Sequence, residues 1–156
     1  MNEATVERSA TISASPDAVW ATLAAFDEIS QWAGKVDHST ATTEATEGVG
    51  AGRRVQAGRV VLIETVTVWD PPRALAYTLD GLPPLAKRVV NRWDLTAVPG
   101  DAGATAVTLT TTIEPLGGPR GRIGQRILGR VLGKAADDLV AGLAAHDHTT
   151  SEGQRA

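Results

Sequence analysis

The stretch Gly117–Leu143, GGPRGRIGQRILGRVLGKAADDLVAGL, is a long helical pattern that decides how the rest of the chain can be arranged. At about 100° per residue, its apolar side chains collect in one stripe and its charged side chains on the other side. Pro119 suits a first helical turn, where its missing N–H has no partner to lose. The stripe consists of Leu128, Leu132, Ala135, Ala136, Leu139 and Leu143, and the opposite side holds Arg126, Arg130, Lys134, Asp137 and Asp138. We therefore predict one long amphipathic helix resting on an apolar surface.

The composition narrows the class of protein. The chain has 156 residues, is 42% hydrophobic and 21% charged, and is long enough for one globular domain with a real core. Its net charge of −3 gives no reason to expect nucleic acid as a partner, and the absence of cysteine excludes disulfides and thiol chemistry. No signal peptide and no apolar run of about 18 residues occurs, so we expect a cytoplasmic protein without integral membrane association. The oligomeric state stays open.

The elements before the long helix are predominantly β. Residues 5–13 alternate in character as a first strand, Ser15-Pro16-Asp17 begins a short helix, and a second helical turn covers Phe26–Trp32. Further strands are predicted near 36–46, 52–58, 60–69, 73–80, 87–98 and 104–114, separated by turns rich in Gly and Pro. The prediction is an α+β domain over 1–146, a seven-stranded antiparallel sheet with two short helices after the first strand and one long C-terminal helix. A polar, mobile tail is predicted for 147–156.

Several short motifs occur in an order that resembles a known superfamily. They are Ser15–Trp20 followed by Ile29 and Trp32, Gly48–Arg54, Glu64–Thr67 before Asp70-Pro71-Pro72, Leu75–Tyr77, Trp93–Leu95 and Gly103–Thr108. Over residues 5–145 this resembles the START-like helix-grip (SRPBCC) superfamily and, within it, the polyketide cyclase/dehydratase-like group. The resemblance implies a strongly bent sheet that grips the C-terminal helix, with a cavity for apolar small molecules between them. It does not imply one reaction.

Alternation along the strands places two polar residues among inward apolar ones. Glu64 shares a face with Leu62 and Val66, and Asn91 shares a face with Val89 and Trp93. An inward Glu64 needs a cation, hydrogen-bond donors or a proton, and could act as a general acid or base. The alternative is a carboxylate that is solvated at a strand end or paired with Arg54.

Other polar candidates leave alternatives open. Arg53 and Arg54 point to opposite faces, so one of them could pair with Glu64 or anchor an anionic ligand, unless both are surface residues. Asn91 could orient a ligand carbonyl or satisfy strand backbone groups.

The aromatic residues could line a cavity or fill it. We expect Trp20 in the core, Trp69 over the outer face or an edge, and Tyr77 and Trp93 inside. The resemblance puts Trp32 near the cavity mouth. The candidate site has Glu64 as its catalytic residue, and its ligand-binding residues are Trp32, Arg54, Val66, Tyr77, Asn91, Trp93, Leu109, Leu128, Leu132 and Leu139. His38, His146 and His148 do not converge on a metal pattern, and we expect no metal and no cofactor.

The charge order of the long helix is unusual. Arg120, Arg122 and Arg126 crowd its N-terminal turns, the reverse of what the helix dipole favours. A solvated basic face, an anion bound near Gly118–Arg122, and a weak patch for an anionic membrane or partner all remain open.

Three functions follow from these patterns. The leading hypothesis is binding or carriage of an apolar or aromatic small molecule between sheet and helix. The alternative, which the resemblance implies, is an aromatic polyketide cyclase or dehydratase. In it Glu64 is the acid or base, Asn91 or Tyr77 orients a carbonyl, and arginine balances the charge of an enolate. The third is a protein-interaction module that uses the basic helix face or the loop Gly81–Ala86.

Overall fold

The computed structural model of the protein describes residues 3–148. Its seven strands form one sheet in the order β1-β7-β6-β5-β4-β3-β2, and every neighbouring pair is antiparallel. The strands are β1 (Ala4–Ile12), β2 (His38–Ala41), β3 (Gly52–Ala57), β4 (Val60–Asp70), β5 (Ala74–Asp80), β6 (Ala86–Val98) and β7 (Asp101–Pro115). Helix α1 (Pro16–Ala24) and a 3₁₀ helix (Phe26–Gln31) follow β1, and α2 (Gly118–Ala145) ends the fold. The predicted α+β class and element order are confirmed.

The first helix begins where the sequence predicts. The Ala18 amide donates to Ser15 Oγ at 3.2 Å, which satisfies one of the free N–H groups of the first turn. Pro16 occupies that turn, where it lacks no hydrogen bond. This cap fixes α1 so that Val19, Trp20 and Leu23 are buried.

The second strand is much shorter than predicted. Only His38–Ala41 pairs with β3, whereas the sequence pattern suggested a strand over 36–46. The chain leaves the sheet after Ala41, and Gly48 and Gly50 turn it back with φ values of +86° and +94°. Such backbone angles exclude a strand and favour glycine.

A β-bulge in β4 changes which side chains face inward. Val66 pairs with Tyr77, but Val68 pairs with Ala76, so β4 carries one extra residue at this point. Trp69 therefore turns toward α1, and its ring meets that of Trp20 edge-on at 5.2 Å between centroids. The expectation that Trp69 covers the outer face or an edge is wrong, because simple alternation does not anticipate a bulge.

Aromatic rings fill the centre of the core. Trp93 is fully buried and meets Trp32 edge-on at 5.9 Å between centroids. Phe26 and Tyr77 form a similar pair at 5.4 Å. Because large rings close this region, open space can remain only beside them.

The long helix covers these rings with a broader face than its leucines alone provide. Leu128, Leu132, Ala136 and Leu143 are buried as predicted, and Val140 joins them. Gly142 lets the helix end approach the second helical segment, since a Cβ there would lie 2.6 Å from the Trp32 carbonyl oxygen. Within residues 3–148 no helix is long and apolar enough to cross a membrane.

The chain beyond α2 remains packed as far as His148. Its Nδ1 lies 2.7 Å from Thr22 Oγ1 and its Nε2 lies 2.8 Å from the Leu143 carbonyl oxygen. His148 was assigned to the predicted tail 147–156, yet it is buried. The rest of that tail, from residue 149, lies outside the described residues.

Candidate functional site

A cavity of about 170 Å³ lies between the sheet, the segment after the 3₁₀ helix and α2. Its wall is almost entirely apolar. Strands β3 to β7 supply Val55, Ala57, Leu62, Glu64, Tyr77, Leu79, Asn91 and Thr111, the segment 29–36 supplies Ile29, Ala33, Gly34, Lys35 and Val36, and α2 supplies Leu132, Ala135, Ala136, Asp138 and Leu139. Exposed Gly34, Lys35 and Ala135 place the mouth between the segment after the 3₁₀ helix and α2.

Glu64 enters this cavity as half of a buried ion pair. Its Oε1 accepts a hydrogen bond from Arg53 Nε at 2.8 Å, and Arg53 Nη2 lies 2.7 Å from the same oxygen. The third nitrogen of the guanidinium, Nη1, donates a hydrogen bond to the Phe26 carbonyl oxygen at 2.7 Å. The Arg53 side chain also lies over the rings of Phe26 and Tyr77, with its Cζ 3.8 Å and 4.6 Å from their centroids. Arg53 thus fixes the carboxylate and is itself held by protein contacts on several sides.

The second carboxylate oxygen of Glu64 is left for the cavity. Both Arg53 nitrogens that reach the carboxylate lie against Oε1, and no group of residues 3–148 hydrogen-bonds to Oε2. Among residues 3–148 no fully buried side-chain oxygen or nitrogen lacks a partner. Oε2 is consequently accessible, and the space that it reaches is the cavity that Glu64 lines.

A second polar group in the cavity wall is the hydroxyl of Tyr77. Trp93 Nε1 donates to this oxygen at 3.2 Å, and Asn91 also hydrogen-bonds to it. Burial raises the pKa of Tyr77, the charge of Arg53 opposes the shift, and Glu64 adds to it. The hydroxyl therefore keeps its proton. Because the neighbours supply donors to the oxygen, that proton is free to be donated toward a ligand.

Asn91 is oriented from β7. Thr111 Oγ1 donates to Asn91 Oδ1 at 2.6 Å, and both residues are buried. This bond fixes the amide so that its Nδ2 points toward Tyr77. The polar part of the wall thus consists of the Glu64 carboxylate and, beside the Thr111–Asn91 pair, the Tyr77 hydroxyl, and Arg53 lies against both the carboxylate and the Tyr77 ring.

Five of the residues predicted for the site lie in the cavity wall. They are Glu64, Tyr77, Asn91, Leu132 and Leu139. The inward orientation of Glu64 and Asn91, derived from alternation, is found in the structure. Arg54, predicted as a ligand-binding residue, lies on the opposite face of β3 and outside the cavity. The arginine that points inward and pairs with Glu64 is Arg53, which is 2% exposed.

The other predicted ligand-binding residues do not line the cavity. Trp32 and Trp93 pack against each other, Val66 and Leu109 are buried in the core, and Leu128 lies further toward the start of α2. The rings of Trp32 and Trp93 fill the space between the centre of the sheet and α2, so the cavity lies to one side, toward β3 and β4.

Several cavity residues were missed by the sequence reasoning. A two-residue turn at Gly58 and Arg59 places Arg53 opposite Glu64, so Val55 and Ala57 lie on the same inward face of β3 as Arg53. The turn is visible in the sequence and could have assigned these two residues to the wall. The irregular segment 33–36 carries no periodicity that could have assigned it to the wall.

The fold and the cavity together define a START-like helix-grip protein, in which a bent antiparallel sheet encloses the C-terminal helix. A family model described as "Polyketide cyclase / dehydrase and lipid transport" matches residues 3–146. The chain belongs to this family.

Solved structures share the fold at low sequence identity. The Zhui aromatase/cyclase from Streptomyces sp. R1128 is 19% identical, with a TM-score of 0.72 over 99% of this chain and 95% of that one. A protein from Nitrosospira multiformis is 18% identical, with a TM-score of 0.74 over 91% and 94%. Ara h 8.0201 is 14% identical, with a TM-score of 0.67 over 93% and 100%. A comparison with curated proteins finds none that matches.

Proposed function

We propose that the protein binds a small aromatic molecule, of one ring with small substituents, in the cavity between the sheet and α2. The observation that carries this is an apolar cavity that keeps one unpaired carboxylate oxygen, on Glu64, and one phenolic donor, on Tyr77. Natural cores rarely leave such space beside polar groups that have already been desolvated. A ligand would give both groups their missing partners.

The size of the cavity selects the class of ligand. An engineered apolar cavity of about 150 Å³ accepts benzene. The cavity here, at about 170 Å³, fits a single ring with small substituents. A fused three-ring compound would require the aromatic cluster of Trp32 and Trp93 to move.

The polar groups select the substituents. Glu64 Oε2 accepts a hydrogen bond, so the ligand should carry a hydroxyl. The Tyr77 hydroxyl donates, so the ligand should also carry a carbonyl or ether oxygen. A hydroxyaryl ketone such as 3′-hydroxyacetophenone offers both on one ring, because its meta hydroxyl cannot hydrogen-bond to its own carbonyl.

Native mass spectrometry and thermal shift measure this directly. The probes are 3′-hydroxyacetophenone, acetophenone, which lacks the hydroxyl, and a hydroxyanthracene that exceeds the cavity. We expect binding to decrease in that order, and Glu64→Gln should reduce the preference for the hydroxyl. If none of the single-ring compounds binds, or if the three-ring compound binds best, the proposal is wrong.

A second candidate is catalysis at the same carboxylate. The structural neighbour Zhui is an aromatase/cyclase, and in this chain the unpaired Glu64 Oε2 could accept a proton from a bound ligand. Arg53 is held by Phe26 and Tyr77 and does not line the cavity, so the charge of an enolate would be met by the Tyr77 hydroxyl. Liquid chromatography and mass spectrometry of a bound compound separate the two functions. Carriage returns the compound unchanged, whereas catalysis yields a product that Glu64→Gln no longer forms.

A further inference from the structure

The outer face of α2 carries an exposed row of aliphatic side chains. Ile123, Ile127 and Val131 are 62%, 47% and 57% exposed, and they follow one another at four-residue spacing. No other element covers them among residues 3–148. Exposed aliphatic groups in a continuous row are unusual on a protein surface and indicate a contact.

The same face is strongly basic. Arg120, Arg122, Arg126, Arg130 and Lys134 are all exposed, and no acidic residue occurs between Gly118 and Ala136. None of the five takes part in an ion pair within the described part of the chain. The cations interrupt and flank the aliphatic row, so a surface that covers the row also meets the charges.

The row continues from the surface into the cavity mouth. Ala135 and Leu139 extend the four-residue spacing, and both line the cavity. Each step of four residues turns by about 40° around the helix, so the ridge moves from the outer face toward the sheet over about 24 Å. An unbroken apolar path therefore links the exposed face with the proposed ligand site.

We infer that this face, Arg120–Lys134 of α2, docks on membranes that contain anionic lipids, with the aliphatic row inserted among the headgroups and the cavity mouth at the edge of the contact. Such a membrane surface offers negative charge and apolar depth at the same place. Docking in this position would also let a ligand pass between the membrane and the cavity mouth. That passage rests on the proposed function, whereas the docking itself does not.

Other occupants fit the face less well. A second copy of the chain paired through this face would bring two sets of five cations together. An acidic protein would satisfy the charges, but the aliphatic row is small for a stable protein interface, which buries about 800 Å² per partner. Asp138 lies at the mouth and Asp137 is paired with Arg8, which places the acidic residues of α2 beyond the docking face.

Sedimentation of the full chain with vesicles measures docking. The vesicles are phosphatidylcholine alone, or phosphatidylcholine with phosphatidylserine as a third of the lipid. We expect binding only to the second kind, weakened by added salt. Ile127→Ser should weaken it about tenfold, and Arg126→Gln or Arg130→Gln about fivefold each. The controls are Val49→Ser and Arg59→Gln, exposed residues of other surfaces that should bind as the unaltered chain does.

Two results would overturn the inference. One is sedimentation that is equal with both kinds of vesicle, or that occurs with neither. The other is an equal loss in the control variants. Thermal shift with 3′-hydroxyacetophenone in the absence of vesicles keeps the two proposals apart, because Ile127→Ser should leave that binding unchanged. Vesicle binding without binding of single-ring ligands would leave docking standing and remove the ligand site.

Discussion

Arg53 and Glu64 face each other as paired residues of β3 and β4, and two nitrogens of the guanidinium lie against one carboxylate oxygen, Oε1. This unequal sharing leaves Oε2 without a hydrogen-bond partner among residues 3–148. The pair is 2% and 5% exposed, so each charge depends on the other for compensation. The polar end of the cavity therefore depends on Arg53, which does not itself line the cavity.

Arg53→Met should destabilise the protein by about 3–5 kcal/mol, because it leaves the Glu64 carboxylate buried without its cation. Urea unfolding measures the loss. The double variant with Glu64→Met should recover much of it, since no charge then remains buried. Arg54→Met is the matched control on the outer face of the same strand and should change the free energy of unfolding by less than about 0.5 kcal/mol. Equal losses for Arg53 and Arg54 would contradict the central role of the pair.

Gly142→Ala and Gly129→Ala should have opposite effects, although both replace glycine in the same helix. A Cβ at Gly142 would meet the Trp32 carbonyl oxygen at 2.6 Å, and none of the neighbouring atoms lies within 4 Å of a Cβ at Gly129. We expect Gly142→Ala to cost about 1–3 kcal/mol through the clash. Gly129→Ala should add about 0.5–1 kcal/mol through helix propensity. Thermal or urea unfolding of both variants tests the close approach, and a stabilising Gly142→Ala would disprove it.

Ala136→Leu should fill the cavity. Ala136 lines the cavity and is buried, so the added side chain takes the place of a ligand. Binding of 3′-hydroxyacetophenone should fall by at least about tenfold, while the fold is retained because the new atoms occupy existing space. Ala141→Leu, on the exposed side of α2, is the control and should bind normally. Isothermal titration calorimetry gives both affinities, and unchanged binding in Ala136→Leu would place the ligand elsewhere.

Acid should destabilise the protein through His148. Its Nε2 faces the Leu143 carbonyl, which can only accept, so the neutral ring carries its proton there. Burial lowers the pKa of His148 below 6.5, and the bond to Leu143 opposes the shift. The unfolded chain binds this proton first, so the contribution is complete above pH 6.5 and is lost as the pH falls through the lower folded pKa.

Melting temperatures at pH 8 and pH 5 test this contribution. His148→Gln should show a smaller decrease between the two than the unaltered chain does. His38→Gln, an exposed residue of β2, is the control and should follow the unaltered chain. An undiminished decrease in His148→Gln would assign the acid sensitivity to other groups.

The sequence allowed the prediction of features that depend on local pattern. Alternation placed Glu64 and Asn91 inward, and helical periodicity gave α2 within two residues of its observed end. Features that depend on how one strand pairs with its neighbour in the sheet were harder to obtain. The bulge that turns Trp69 inward and the limited length of β2 arise from contacts that residue types do not encode locally.

The position of the cavity could not be derived because it is what remains after packing. Trp32, Trp93 and Leu109 all have the size and polarity of ligand-contacting residues, and each is used to fill the core. Which large rings leave space and which close it depends on their rotamers against one another. Lys35 and Gly34 reach the cavity through an irregular segment for which sequence periodicity carries no information.

The bulge in β4 divides that strand into two segments whose inward side chains contact different parts of the protein. Before it, Leu62 and Glu64 belong to the ligand chamber, and after it Trp69 belongs to the aromatic support beneath α1. On the chamber half, Leu62 can therefore change, by natural drift or by engineering, without loosening the contact between Trp69 and Trp20. Glu64 cannot change as freely, because the buried charge of Arg53 depends on it.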